Sequence, residues 1–306
     1  MASKELKGWF EQLQRCRGRI AVLGTCKNAG KTTVLNAILK HGVSGTVGVT
    51  SIGRDGEPYD VVEKVAKPSI SLESGTLFAT ASESLERSRG RWTVLAETSA
   101  VTPLGRVLIA RAEQECTVEL AGPSDVEGMR NVATLLEEAG AHAVYLDGAF
   151  DRVAAGSSRL ADAVVLVVGS AGRSSIDEVI SELKGYLNRY HLPEVSVPTD
   201  DQPDLLQLNA LTDEQLPELE GRSVVLPDPS ACLISPAAWR WVGRRKIQLH
   251  VRHQLKLEAI FLNTFRPHLS PLSAEALLNR VRELCQNVAV FDLKLEGWFD
   301  RAGAEN

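Results

Sequence analysis

The sequence predicts an α/β protein with a doubly wound, mostly parallel sheet, and three observations predict it. Short apolar runs alternate with stretches whose apolar residues recur at helical spacing. Runs such as Ala163 to Val168 lack the polar alternation of half-exposed strands, as befits strands covered on both faces. The first run feeds directly into a glycine-bearing loop followed by a helix-period segment, the order in which such sheets build a ligand crevice.

Ile20 to Leu23 is the first strand, and Thr32 to Lys40 the first helix, with Val34, Leu35, Ile38 and Leu39 on its apolar side. A second strand follows at Thr46 to Ile52, then a polar stretch from Gly53 to Pro58, a helix between Gly75 and Ser88, and a third buried strand at Thr93 to Ala96. Arg106 to Ala112 and Thr117 to Gly122, on either side of Glu113 to Cys116, read as an inserted β-hairpin. Ser124 with Glu127 is a capping-box pattern that opens a helix to Ala139, and Ala143 to Leu146 is the next strand. After the Ala163 to Val168 strand, Ser175 with Glu178 repeats the capping box for a helix through Tyr190.

The stretch from Pro198 to Arg222, rich in Asp, Pro, Gln and Leu, breaks this rhythm. It divides the chain into a nucleotide-binding domain over 1–200 and a C-terminal α/β subdomain over 201–306, a place for a partner to bind. In that subdomain Ser223 to Leu226, Ile247 to Val251, Ala259 to Leu262 and Val288 to Leu293 read as strands, and Ala274 to Cys285 as a helix. GlyTrpPhe occurs at Gly8 to Phe10 and again at Gly297 to Phe299, too short a match to be a repeat.

The chain of 306 residues is 44% hydrophobic and 24% charged, which is ordinary globular composition, and its net charge of -5 gives no basic field for nucleic acid or anionic membranes. The charged opening MASKELKGWFEQLQRCRGR lacks the apolar core of an export signal. No apolar run approaches the roughly 18 to 20 residues of a membrane span. The expectation is a cytoplasmic protein. Cys16, Cys26, Cys116, Cys232 and Cys285 show no CxxC or CxxH spacing, so reduced thiols are expected in place of a disulfide framework or zinc site.

The chemistry concentrates in Gly24-Thr25-Cys26-Lys27-Asn28-Ala29-Gly30-Lys31-Thr32, a full match to GxxxxGK[ST] between a strand and a helix, with Thr33 just inside the helix. Gly24 and Gly30 let backbone turn closely around an anion, and the loop amides and helix N-terminus face phosphate oxygens. Lys31 reaches the β- and γ-phosphates, and Thr32 offers its hydroxyl to Mg²⁺. Lys27 is a second loop cation, placed beside the phosphates, across a homodimer interface, or in solvent. Cys26 is either a helix-start thiol of lowered pKa or an inert small side chain.

A Mg²⁺ held by a threonine hydroxyl wants a carboxylate nearby, and Asp55, Glu97 and Asp147 each follow a predicted strand. Asp55 lies in a loop suited to sensing the γ-phosphate, while Glu97 and Asp147 both resemble the acid that ends a Walker-B strand. Each is also readable as a turn or cap carboxylate. Arg152 either neutralises phosphate charge or pairs with Asp151. Arg240, Arg244, Arg245 and Lys246 beside Trp239 and Trp241 form either a binding cluster or the solvated end of a helix with two core tryptophans. No [NT]KxD triplet follows the later strands, so ATP is favoured over GTP.

These blocks, taken in order, resemble the P-loop reactivating subunit of adenosylcobalamin-dependent lysine 5,6-aminomutase. They are GTCKNAGKTT at Gly24, SIGRDGE at Ser51, ELAGPSD at Glu119, LDGAFDR at Leu146 with ADAVVLVVG at Ala161, and AIFLNTFRP with AVFDL near the C-terminus. The resemblance implies a MutS-like ATPase partner subunit and a cobalamin-dependent aminomutase client whose damaged cofactor is exchanged at the expense of ATP. The phosphate loop and the acid after the second strand also resemble dethiobiotin synthetase and related ATP-dependent ligases, which phosphorylate a carboxylate at the same kind of Mg²⁺ site. A nucleotide-gated binding module without turnover is the third expectation.

Overall fold

The computed structural model describes residues 3–41, 45–52, 69–148, 160–195, 205–266 and 269–297. In chain order they form α1 (Lys4–Leu13), β1 (Gly18–Gly24), α2 (Lys31–His41), β2 (Val47–Ser51), β3 (Ile70–Leu72), β4 (Leu77–Ala81) and α3 (Ser82–Arg87). There follow β5 (Trp92–Thr102), β6 (Gly105–Ala112), β7 (Cys116–Val118), α4 (Val126–Glu138), β8 (Ala143–Asp147), β9 (Ala163–Gly169) and α5 (Ile176–Tyr190). The last are β10 (Leu205–Gln207), β11 (Ser223–Leu226), α6 (Trp239–Arg244), β12 (Gln248–Val251), β13 (Lys256–Asn263), α7 (Ala274–Leu284) and β14 (Ala289–Asp292).

Nine strands make one sheet in the order β14-β13-β9-β1-β8-β2-β4-β6-β5, and every pairing from β14 through β4 is parallel. Only β6 runs against its neighbours, pairing antiparallel with both β4 and β5. The alternation of strand side chains divides the core in two. Ile20, Val22, Tyr145, Val165 and Val167 face the layer holding α1 and α2, while Ala21, Leu23, Leu146, Val164, Leu166 and Val168 face α4, α5 and α7. Helices on both faces explain why the central strands are apolar without interruption. From β1 the chain moves toward β2, and from β9 it moves the opposite way to β13, so the crevice between the carboxyl ends of β1 and β9 is a topological switch point.

Four sequence expectations are corrected. Thr93 to Ala96 lies in the edge strand β5, paired only to β6 and exposed from Thr93 through Glu97, where Val94 and Leu95 stand 46% and 39% exposed. An aliphatic edge strand and a buried one read alike, because periodicity does not report what lies beyond the strand. The segment after Gly75 is first the buried strand β4 and becomes helical only at Ser82. The hairpin is β5–β6, closed around Pro103 and Leu104; Cys116 to Val118 instead pairs with β3. The helix expected to be capped by Ser124 is capped by Asp125, whose carboxylate accepts from the Gly128 N–H at 2.7 Å.

The domain division is corrected as well. The strands β10, β11 and β12 form their own parallel sheet around a small core that includes Leu211, Val224 and Leu249. The chain then returns, and β13, α7 and β14 complete the main sheet. The subdomain is therefore an excursion between α5 and β13, not a C-terminal half. Its two ends are tied together where Val195 N–H donates to Val251 O at 2.9 Å and the Gln254 side-chain amide donates to Leu192 O at 3.0 Å.

The sequence reading assigned no element to the N-terminus, yet α1 docks on the sheet through Leu6, Trp9, Phe10 and Leu13. The Trp9 ring meets Phe261 edge-on at 5.3 Å and Phe291 at 5.8 Å. Ser3 caps α1 by accepting from Leu6 N–H, and both its own N–H and its hydroxyl donate to the Glu296 carboxylate, at 2.7 and 2.8 Å. Removing the ring in Trp9→Ala should cost about 3–5 kcal/mol in chemical denaturation. A loss under about 1 kcal/mol would show that α1 contributes little to the core.

Asp292, at the end of β14, is 1% exposed and accepts from the Lys294 and Leu295 amides at 2.9 and 3.1 Å. Burial pushes its carboxyl up to about 6, with Glu296 adding to the rise. A raised folded-state value means that the native state holds the proton more tightly than the unfolded chain. Its contribution to stability is therefore complete below about pH 4 and lost as pH rises through about 6, at most about 3 kcal/mol in all. Denaturation midpoints measured from pH 4 to 7 should fall in wild type and flatten in Asp292→Asn, which stays neutral throughout.

Candidate functional site

The site assembles where the carboxyl ends of β1, β8, β9 and β13 meet the start of α2. β1 ends at Gly24, and the six residues from Thr25 to Gly30 carry the chain to Lys31, the first residue of α2. Thr25 stitches this loop to β9: its N–H donates to Val167 O at 3.0 Å, and its hydroxyl accepts from Gly169 N–H at 3.2 Å. From β13, the Asn263 amide donates to Asn28 O at 3.4 Å while its oxygen accepts from Phe265 N–H at 3.0 Å. Arg266 reaches from the segment after β13 to the carbonyls of Arg173 and Ser174, at 3.1 and 3.2 Å.

Loop curvature comes from left-handed backbone at Asn28, with φ 58°, and at Gly30, with φ 97°. Such turns aim successive amides to one side and make a concave anion site. At Gly24 an added Cβ would lie 3.1 Å from Cγ and Cδ of Lys31 and 3.2 Å from the Ala29 Cβ, so the Lys31 stem lies back across the glycine. Lys31 and Thr32 are half-buried, and Lys27 and Asn28 are exposed. The first turn of α2 carries no acidic residue, which leaves the positive end of the helix for an outside anion. No ion pair among the described residues engages Lys31.

Of the two acids among the described residues, Glu97 and Asp147, the structure brings one to the loop. Asp147 ends β8, paired in register with Val22 of β1 and Ser51 of β2. By strand alternation it faces the same layer as Tyr145, the layer that holds α2. Glu97 does not join it. It lies on β5, five strands from β1 and so about 24 Å away at the usual spacing, with its side chain 73% exposed and its carboxylate 3.9 Å from Arg106. The Walker-B resemblance there arose from the edge strand described above, and Glu97 is removed from the metal set. Asp55, Asp151 and Arg152 lie outside the described residues.

Cys26 is buried, and desolvation raises its thiol above the ordinary value, with Glu182 reinforcing the rise. That favours the inert reading over the reactive one, since burial here outweighs the nearby helix start. The sequence reading missed two residues that position the loop. Gly169 ends the apolar run of β9, and a glycine closing a core strand was the available signal for a close backbone approach. Asn263 lies within the AIFLNTFRP segment, and nothing in its local pattern indicates that it touches a residue 235 positions away.

Among the described residues no cluster of three or more His, Cys, Asp or Glu side chains is arranged to hold a metal ion, and no helix is long and apolar enough to cross a membrane. No family model, curated protein or solved structure matches the chain.

A Cβ added at Gly169 would lie 2.5 Å from Cys26 Sγ and 2.7 Å from the Ala29 Cα. Gly169→Ala should therefore destabilise by about 1–3 kcal/mol through overpacking. Adding Cys26→Ala should recover part of the loss, since one of the two clashes is removed; thermal melts that show no recovery would place the strain elsewhere.

Proposed function

We propose that the protein is a Mg²⁺-dependent P-loop NTPase, with ATP favoured, that uses hydrolysis as a conformational switch on a protein client. The observation that carries the reading is the Gly24 to Thr32 loop, turned through left-handed residues at Asn28 and Gly30 and closed by the Lys31 stem, at the switch point of a parallel sheet. The residues present fit the group. A glycine cradle, an uncompensated helix start and a half-buried lysine are the chemistry of a triphosphate site. The Asp147 carboxylate on the adjoining strand suits Mg²⁺, which keeps phosphate and water ligands and needs no all-protein cage.

In this reading the loop amides and the first turn of α2 bind the phosphate oxygens, and the Lys31 ammonium offsets charge at the β- and γ-phosphates. Thr32 and Asp147 hold the Mg²⁺, Thr32 through its hydroxyl and Asp147 from the adjoining strand. When bound, the metal draws charge from the transferring phosphoryl group. Thr25, Gly169 and Asn263 fix the loop before nucleotide arrives, so little ordering is left for binding. The resemblance supplies the client: a cobalamin-dependent aminomutase whose damaged cofactor is released with a MutS-like ATPase partner.

Thermal unfolding and phosphate release with Mg·ATP and Mg·GTP test the reading. Nucleotide about 100-fold above its Kd should stabilise wild type by about 2.7 kcal/mol, and Lys31→Ala should lose most of that. Asp147→Asn should reduce turnover about 10- to 100-fold, while Glu97→Gln leaves it unchanged. Slow basal turnover accelerated by the aminomutase and its partner supports the switch. A burst of ADP that depends on a small carboxylate would replace it with the ligase reading, and absence of any nucleotide shift in wild type would end both.

A further inference from the structure

The excursion subdomain carries a surface that the nucleotide site does not use. The guanidinium carbons of Arg240, Arg244 and Arg245 lie 5.7, 5.4 and 5.9 Å from the centre of the Trp241 ring, and Trp241 is 40% exposed. Trp239, by contrast, packs against the subdomain core, so only one of the two tryptophans is a core residue. Arg245 pairs with Glu220 at 3.1 Å, but Arg240, Arg244 and Lys246 are exposed and have no ion-pair partner among the described residues.

Helix formation does not ask for this arrangement. A helix of six residues has a weak dipole, which rewards a cation in its last turn and not four side by side. Lys246 also takes φ 53° just past the helix end, where glycine would fit without strain. The ring instead acts as a platform that gathers three long side chains and reduces the rotamer freedom they lose on binding.

We propose that Arg240, Trp241, Arg244 and Lys246 form a docking site for an acidic segment of a partner protein. With guanidinium groups gathered around it, the ring offers little open face for a stacked base, so the presented groups are forks that read carboxylate or phosphate. A nucleic-acid backbone is disfavoured. The chain has net charge -5, and the exposed Asp213, Glu214, Glu218 and Glu220 flank the patch on the segment held by Arg245, whose carbonyl accepts from Gly221 N–H at 2.8 Å. A few carboxylates on a short peptide match the free cations without meeting that flank.

The placement also connects the patch to the loop, a consequence that rests on the switch reading. α5 starts just beyond the Gly169 segment, and β13 ends at Asn263 on the Asn28 carbonyl. Both chain connections of the subdomain thus lead to the nucleotide loop, and the occupant is the client or its companion.

The test is fluorescence anisotropy at low ionic strength with the full chain, using labelled deca-glutamate and labelled deca-thymidylate. Wild type should bind deca-glutamate more tightly than deca-thymidylate. Arg240→Glu/Arg244→Glu and Trp241→Ala should each weaken peptide binding about tenfold or more. Arg111→Glu/Lys184→Glu, which changes the net charge equally at exposed sites elsewhere, should change it less than about twofold. All these variants should keep the wild-type melting midpoint and nucleotide shift. Equal peptide binding by wild type and the α6 variants, equal loss in the Arg111/Lys184 control, or tighter binding of deca-thymidylate would overturn the proposal. A peptide-binding wild type without any nucleotide shift would leave the docking site standing and remove the NTPase reading.

Discussion

The seating of the Gly24 to Gly30 loop on the end of β9 is the contact on which the rest of the site depends. Gly169 leaves room for Cys26 and Ala29 to lie against the strand, at distances where any side chain would collide. Thr25 then fixes the approach with two hydrogen bonds, one to each of the residues that flank Val168. A parallel sheet makes this possible, because adjacent strands present their carboxyl ends at the same edge. The loop can therefore be held by β9 while it leads into α2.

The same constraint organises a wider ring of contacts. Asn263 holds the loop at Asn28 from one strand further out, and Arg266, just past the end of β13, holds the segment after β9. β13 in turn is covered by α1, whose Trp9 packs on Phe261 and Phe291. Distant ends of the chain thus meet in one structure: Ser3 bonds Glu296, and Glu5 pairs with Arg282 at 2.7 Å. The pair is exposed and contributes little by itself. The apolar contacts of α1 carry the attachment.

Legibility in the sequence followed range. The strand–loop–helix order around Gly24 and the uninterrupted apolar runs of β8 and β9 are local patterns, legible from neighbouring residues. The amphipathic face of α1 was equally local but short, and the charged residues around Trp9 and Phe10 concealed it. Thr93 to Ala96 illustrates the opposite failure. Its composition suits a core strand, yet no sequence window reports that β5 has a neighbour on one side only. That single error also produced Glu97 as a metal candidate.

The sequence by itself determined the alternation of strands and helices, the glycine-and-lysine loop pattern from Gly24 to Thr32 and the acid that ends β8, because each rests on local spacing. Tertiary structure alone decided that Asp147 and not Glu97 stands beside that loop, that Gly169 and Asn263 position it, and that residues 205–251 form an excursion before the chain rejoins the main sheet. Those outcomes depend on which strands become neighbours. Strand order is set by how the two apolar faces of the sheet are covered, a property of the whole chain that no local segment encodes.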